Sequence, residues 1–391
     1  MLRFYTAGES HGQGLVAILL GLPAHVPVDF AYVNRELKRR MGGYGRGGRM
    51  KIESDTAQFL SGVRHGETIG SPITILIENR DWKNWQEAMS VEDLAETRQK
   101  YKAVTSPRPG HADLAGALKY SFRDARYVLE RASARETAAR VAIGALAKLF
   151  LKEFGIEIAS HTVALGNVAL PEGSVPFERV LALRDIDEIV LNCVDQEVEA
   201  RMKLEVDKAI EARDTVGGTF EVIARGVPAG LGSCAQWDER LDGQLAQAVM
   251  SIQAVKAVEL GTGIENAATP GSGVHDEIGY DRGRRRFIRK SNRAGGLEGG
   301  MTNGEEVIVR GYLKPISTLR RPLESVDFAT RESVKAAYER SDVCVVPAAG
   351  VVGEAMVALV LARSFLEKFG GDSLEETRRN FDAYLEQVRR F

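Results

Sequence analysis

The sequence predicts an α+β fold built as a single domain over residues 1–391, and three observations carry that expectation. Segments with helical apolar spacing alternate with short β-branched runs, but without the regular strand–helix–strand rhythm of a parallel sheet. No long polar or charged linker divides the chain into separable parts. With 44% hydrophobic and 27% charged residues, the composition is that of a chain able to bury a sizeable core.

Each element has its own local warrant. Residues 31–41 have helical spacing and stop at Gly42. Ile73–Glu78 is a β-branched run bounded by Pro72 and Asn79, which reads as a strand. Residues 125–154 read as one long helix, with Ala139, Ala142, Ile143, Leu146 and Phe150 on its buried face and Gly155 marking its end. Residues 197–213 read as an amphipathic helix and 218–226 as a strand. Residues 241–260, small and apolar, read as one helix buried on most sides. A strand over 307–312 and helices over 353–369 and 374–390 complete the chain. One internal echo stands out: Glu221-Val222-Ile223-Ala224-Arg225-Gly226 recurs as Glu306-Val307-Ile308-Val309-Arg310-Gly311. Coincidence and a duplicated strand–helix unit, with two sheets related by pseudo-symmetry, both account for it.

Charge and cysteine usage exclude several classes. The net charge is −2, from 52 Lys+Arg against 54 Asp+Glu, so no global field draws the protein to nucleic acid or membrane. Cys193, Cys234 and Cys344 are scattered without CxxC spacing, which argues against a disulfide framework and a structural zinc site and for a reducing compartment. Met1-Leu2-Arg3-Phe4-Tyr5 runs directly into polar Thr6 with no signal-peptide pattern, and the longest apolar run, near residues 356–361, fits a buried helix. A cytoplasmic protein with no metal is the expectation.

The chemistry gathers in glycine-rich segments. Of six histidines, His11 lies in Gly8-Glu9-Ser10-His11-Gly12 and His111 in Arg108-Pro109-Gly110-His111-Ala112-Asp113. Both sit among small residues and hydrogen-bonding groups, which suits proton transfer at neutral pH around one small molecule; a buried, hydrogen-bonded imidazole is the plainer alternative. The 40 glycines cluster at 42–48, 261–273 and 295–304, between well-patterned segments, as ordered ligand-facing loops do. Gly43-Tyr44-Gly45-Arg46-Gly47-Gly48 matches GxGxxG, but a helix precedes it and a β-like run follows, which is the reverse of a dinucleotide fingerprint. Arg35, Lys38, Arg39, Arg40, Arg46, Arg49 and Lys51 make this stretch basic. Aromatic residues are sparse there, so a phosphate-bearing small ligand fits it better than nucleic acid. Arg131 and Arg135 fall at i, i+4, where one helical face would present both, either to a ligand or to solvent beside Glu130 and Glu136. Residues 291–304 offer many backbone N–H donors or form a long hairpin loop. Asp342 precedes the apolar run Val343-Cys344-Val345-Val346-Pro347, placing a carboxylate at the edge of a buried segment as cap, arginine partner or base.

On these stretches, together with Lys314-Pro315-Ile316-Ser317-Thr318 and Arg340-Ser341-Asp342, the chain resembles the chorismate synthase family from Thr6 to about residue 365. The resemblance implies a large β-α-β sandwich of two sheets and helical layers, assembled as a homotetramer. It implies a carbon–oxygen lyase that eliminates phosphate from 5-enolpyruvylshikimate 3-phosphate in a 1,4-anti sense, giving chorismate for aromatic amino acid biosynthesis. Reduced FMN is the implied cofactor, with NADPH as a source of reducing equivalents. His11 is then expected at the departing phosphate, His111 at flavin N1 and Asp342 near flavin N5. Arg40, Arg46 and Arg49 fall on positions that bind NADP or substrate phosphate, and Arg135 is also an anion-binding position. Ser133, Ala134, Arg135, Gln253, Ala254, Gly299, Lys314, Pro315, Ile316, Ser317, Thr318 and Arg340 fall where the family binds FMN. Two local departures are Ala132, where serine is common, and Gln253, where asparagine is frequent.

Overall fold

A computed structural model describes residues 1–47, 55–92, 103–171, 173–186, 190–338 and 342–391. The first sheet is antiparallel throughout and comprises β1 (Arg3–Ala7), β2 (Gly14–Leu20), β3 (Gln58–Ser61) and β4 (Ile73–Glu78) in the order β1-β2-β4-β3. Alternation sets its buried face: Leu15, Ala17 and Leu19 of β2 and Ile73, Ile75 and Ile77 of β4 point into the core while their neighbours face out. The second sheet, also antiparallel, comprises β5 (Glu157–Leu165), β6 (Val168–Ala169), β7 (Gly218–Arg225), β8 (Val255–Leu260) and β9 (Val307–Leu313) in the order β8-β9-β7-β5-β6.

Between the sheets lies a helical layer of α1 (Phe30–Met41), α4 (Thr137–Lys152) and α7 (Val346–Phe369). Helix α4 packs on β2 and β4, whereas α7 packs on β5 and β7, so the order of layers is β-α-β, as expected. Helix α7 is long and apolar enough to cross a membrane, but 89% of its most apolar window is buried inside the protein. Its apolarity all round answers to neighbours on every side. Helices α4 and α7 approach closely at Gly144, where a Cβ would lie 2.4 Å from Ala355 Cβ. The outer face of the second sheet is covered in part by the short helix Phe177–Ala182, whose Phe177 and Val180 pack on Ala159 and Ile223.

An ionic cluster runs through the helical layer. Arg39 donates to Glu36 Oε1 (2.9 Å) and to Glu354 Oε1 (2.8 Å); Lys148 Nζ reaches Glu36 Oε2 at 2.5 Å and also bonds Glu354. Ser160 of β5 donates to Glu354 at 2.7 Å, so α1, α4, α7 and the second sheet are joined at one carboxylate.

Three expectations are corrected. The helix expected over 125–154 is broken at Ser133, which is extended (φ −62°, ψ 140°) between α3 (Arg126–Ala132) and a single 3₁₀ turn, Ala134–Glu136, that leads into α4. The helix expected over 241–260 is α6 (Leu241–Met250) followed by a turn and then β8, because Val255, Val258 and their neighbours pair with β9. The repeated hexapeptides do not belong to two pseudo-symmetric sheets. They are the adjacent strands β7 and β9, paired antiparallel with Glu221 opposite Arg310. Antiparallel pairing of two Glu-…-Arg copies sets acid against base, and Arg310 Nε donates to Glu221 Oε2 at 2.6 Å.

Candidate active site

Loops from both sheets and the helical layer converge on one cavity of about 830 Å³. Its walls come from the β1–β2 loop, the C-terminal end of α1, the loop before α2 (Asp113–Tyr120), the break at Ser133, the turn at Ile252-Gln253-Ala254, residues 314–318 and the start of α7. His11 and His111 both line it, which the sequence alone left open.

The His11 loop is a tight reversal between β1 and β2. Gly8 has φ +101°, and a Cβ there would lie 2.3 Å from the Gly14 carbonyl oxygen, so only glycine fits. His11 is held by Glu130 of α3: its Nδ1 lies 2.9 Å from Oε2, and its backbone N–H donates to the same oxygen at 2.8 Å. Arg126, one turn earlier, donates to Glu130 Oε1 at 2.7 Å. Burial alone would raise the Glu130 carboxyl, but the bonds from His11 and the charge of Arg126 hold it below the ordinary carboxylate range.

His111 repeats the arrangement with other residues. Its Nδ1 lies 2.5 Å from Asp113 Oδ1, and Asp113 opens α2. Arg108 brackets the pair, with Nε 2.8 Å from Asp113 Oδ2, Nη2 3.1 Å from His111 Nδ1 and Nη1 donating to Thr318 Oγ1 at 3.0 Å. Asp113 is fully buried; desolvation would raise it, yet the bonds from His111 and Arg108 hold it far below the usual range. Each histidine is thus oriented by a buried carboxylate whose carboxyl is lowered first by the imidazole's own hydrogen bond and then by an arginine.

The expected arginines Arg40, Arg46 and Arg135 line one side of the cavity. Arg40 Nε donates to Thr137 Oγ1 and Nη2 to the Ala134 carbonyl, both at 2.8 Å. Arg135 Nη2 lies 3.0 Å from Asp55 Oδ1, and Arg40 Nη1 lies 3.8 Å from Asp55 Oδ2. The shared aspartate partly neutralises two guanidiniums that would otherwise repel. Arg46 lies 3.4 Å from Asp342, which also accepts the Gly47 N–H at 2.6 Å, so Asp342 closes the glycine-rich loop after α1. Lys314 donates to the Gly110 carbonyl at 2.7 Å, and burial pulls its ammonium below the usual lysine range. Among the described residues, Arg40, Arg46, Arg108, Arg135 and Lys314 line the cavity against the carboxylates of Asp81 and Asp342, an excess of positive charge suited to a polyanion.

Most sequence-predicted residues meet here: His11, His111, Asp342, Arg40, Arg46, Ser133, Ala134, Arg135, Gln253, Ala254, Lys314, Ile316, Ser317 and Thr318 all line the cavity. Pro315 lies in the same segment but not on the lining, and Gly299 sits exposed in the hairpin turn between Leu297–Glu298 and Met301–Thr302, away from it. Arg49 and Arg340 lie outside the described residues. Arg131 and Arg135 do not share a face: Arg131 binds the Thr6 and Gly8 carbonyls on the outside, whereas the break at Ser133 turns Arg135 inward. Sequence reasoning missed Ser10, Asp81, Trp85, Thr137 and the functional weight of Glu130, Arg108 and Asp113. Glu130 carries no local signal, because its partner His11 is 119 positions away.

The residues present fit a flavin. Gln253 donates Nε2 to Glu136 at 2.9 Å and, among the described residues, its buried Oε1 has no partner, an acceptor on a cavity-lining residue. Ala254 beside it adopts φ +70°, a strained conformation for alanine. Ile252, Ala348, Ala349 and Val352 supply an apolar wall, while Ser133, Lys314, Ser317 and Thr318 supply phosphate-type donors.

Comparison with known proteins agrees with this geometry. A chorismate synthase family model matches residues 2–366. The chain is 66% identical over 396 residues to the chorismate synthase of Acidobacterium capsulatum and 64% identical over 391 residues to that of Solibacter usitatus, with both chains fully covered in each case. A crystal structure of a chorismate synthase superposes with a TM-score of 0.79 at 43% identity, covering 100% of this chain and 99% of that one. Family model, full-length relatives and shared fold coincide, and the chain belongs to the chorismate synthase family.

Proposed function

We propose that the protein converts 5-enolpyruvylshikimate 3-phosphate to chorismate by 1,4-anti elimination of phosphate, with reduced FMN bound in the cavity. The observation that carries this reading is the convergence of two carboxylate-held histidines and a set of arginines on one cavity large enough for a cofactor and a substrate together. When bound, reduced FMN supplies the electron density that assists cleavage of an allylic C–O bond lacking an adjacent charge. Arg40, Arg46 and Arg135 bind and orient anionic groups, and Gln253, Ala254, Ser133 and residues 314–318 hold the flavin. His11 delivers a proton to the departing phosphate, the task of a general acid. His111 holds a proton at the flavin N1 edge, steadied by Asp113 and Arg108. Asp342 would lie beside the bound flavin and assist loss of the substrate's C6 hydrogen. The protein works as a cytoplasmic homotetramer, with NADPH as an upstream source of electrons.

The test is anaerobic incubation with the shikimate phosphate and reduced FMN, following chorismate absorbance. Many turnovers per flavin are expected, since the elimination is redox-neutral. Absence of chorismate with folded, flavin-loaded protein overturns the reading, and stoichiometric flavin oxidation points instead to an oxidoreductase.

A further inference from the structure

We propose that Trp85 is a positioning residue for His11: its indole face fixes the plane of the imidazole against Glu130 and favours the charged, proton-carrying ring at the phosphate end of the cavity. The inference rests on the reading above that His11 acts on the departing phosphate.

The two rings are in direct contact, with centroids 3.8 Å apart and planes 31° apart. That is closer than aromatic pairs ordinarily come, so the ring of His11 has little freedom to swing. Trp85 is fixed from behind. Its Nε1 donates to Asp81 Oδ2 at 2.9 Å, its backbone N–H donates to the Trp82 carbonyl at 2.8 Å, and its own carbonyl accepts from Met89 at 2.9 Å. The segment is pinned in turn to the loop that carries His11: Asn79 Nδ2 donates to the Gly12 carbonyl at 2.8 Å and Asn79 N–H to the Gln13 carbonyl at 3.0 Å. The guanidinium of Arg126, which holds Glu130, lies 5.2 Å from the Trp85 ring centroid. The indole therefore touches both basic members of the His11–Glu130–Arg126 unit.

An indole face attracts positive charge, and does so more strongly where water is excluded. Its contact with His11 is worth more when the imidazole is protonated than when it is neutral. Among the described residues, the charged groups on the elements packed against His11 include Glu9 on its own loop, Glu130, Arg126 and Arg131 on α3, and Asp81 on the covering segment. Glu130 fixes the ring at Nδ1 and Trp85 fixes it by its face. Together they leave one orientation for Nε2, which is what directed proton delivery requires.

The chain has three tryptophans, so replacing Trp82 and Trp237 by phenylalanine leaves Trp85 as the sole indole reporter. Protonated imidazole quenches a stacked indole, so emission of this variant, without substrate or flavin, is expected to follow one sigmoid with pH. His11→Asn is expected to abolish that sigmoid. In turnover, Trp85→Leu is expected to lower kcat roughly 3- to 30-fold, the scale of one cation–π contact, with KM little changed. The alkaline loss of activity is expected to move to lower pH, and Trp85→Phe to restore most of both effects. Emission that is flat with pH in the folded single-tryptophan variant overturns the proposal, as does a Trp85→Leu enzyme with the kcat and pH profile of the parent. The fluorescence titration needs neither substrate nor cofactor. A parent enzyme that makes no chorismate therefore overturns the functional reading while the titration still decides whether Trp85 senses His11.

Discussion

A histidine that is to move a proton, as proposed for His11 and His111, has to keep its orientation while its charge changes, and two buried carboxylates are placed to fix it. Glu130 and Asp113 each receive Nδ1 of one imidazole and each is neutralised by an arginine on its far side. Replacing His11 or His111 by alanine is expected to lower turnover roughly a hundredfold or more, the usual scale for a lost general acid. Parent-like rates in both variants, by chorismate absorbance, would make the histidines structural. Asp113 also links function to stability. Its carboxyl is depressed in the folded protein, so its stabilising contribution is full above the unfolded-state value of about 4 and disappears as pH falls through the lower native value. Asp113→Asn leaves Arg108 buried without its anion and is expected to cost about 3 kcal/mol at pH 7, by urea unfolding. The difference from the parent protein should narrow steadily below about pH 4. A difference that is constant from pH 7 to pH 2 excludes the ionised form as the source.

At the scale of elements, the cavity is built where regular structure stops. The strand Ile73–Glu78 and the helix Leu374–Arg390 were legible to the residue, because apolar periodicity and flanking breakers agree there. The two longest misreadings, at Ser133 and at residues 251–254, are the places where the chain leaves a helix to line the cavity. Helix propensity runs through Ala132 and Ala134 on either side, and the break rests on Ser133, which as an N-cap accepts from Arg135 N–H at 3.3 Å while Arg135 is drawn inward to Asp55. The same conflict between propensity and packing governs the meeting of α4 and α7. Alanine favours a helix over glycine by about 1 kcal/mol, so propensity alone predicts that Gly144→Ala stabilises. The new methyl would lie 2.4 Å from Ala355 Cβ and 2.6 Å from its Cα, between two buried helices with no room to part. Overpacking prevails, and Gly144→Ala is expected to destabilise by about 1–3 kcal/mol in chemical denaturation. A gain in stability would mean that the helices slide more freely than their close approach allows.

For the whole molecule, the question is what keeps the two sheets in register across a helical layer whose apolar contacts are adaptable. Among the described residues, the ionic cluster of Glu36, Arg39, Lys148 and Glu354 is a directional contact that reaches α1, α4, α7 and, through Ser160, the second sheet. Arg39 and Arg40 are neighbours on α1, one held in this cluster and the other by Thr137 and Ala134 at the cavity wall, so the cluster also helps set the position of a cavity-lining arginine. Although burial alone would raise it, Glu354 is held well below the ordinary carboxylate range by Arg39 and Lys148. Breaking such a cluster at one member leaves an opposite charge buried and unmatched, which is why single replacements cost more than removal of a whole pair. Glu354→Gln is expected to destabilise by about 3–5 kcal/mol, and Lys148→Met by a comparable amount. The double variant should lose less than the sum of the two, by about 1–3 kcal/mol, since each substitution relieves the charge that the other strands. Urea unfolding of the four proteins in this cycle measures that coupling. Strict additivity would show that Glu354 and Lys148 act independently, and the registering role would then fall to Arg39, the remaining cation that bonds both Glu36 and Glu354.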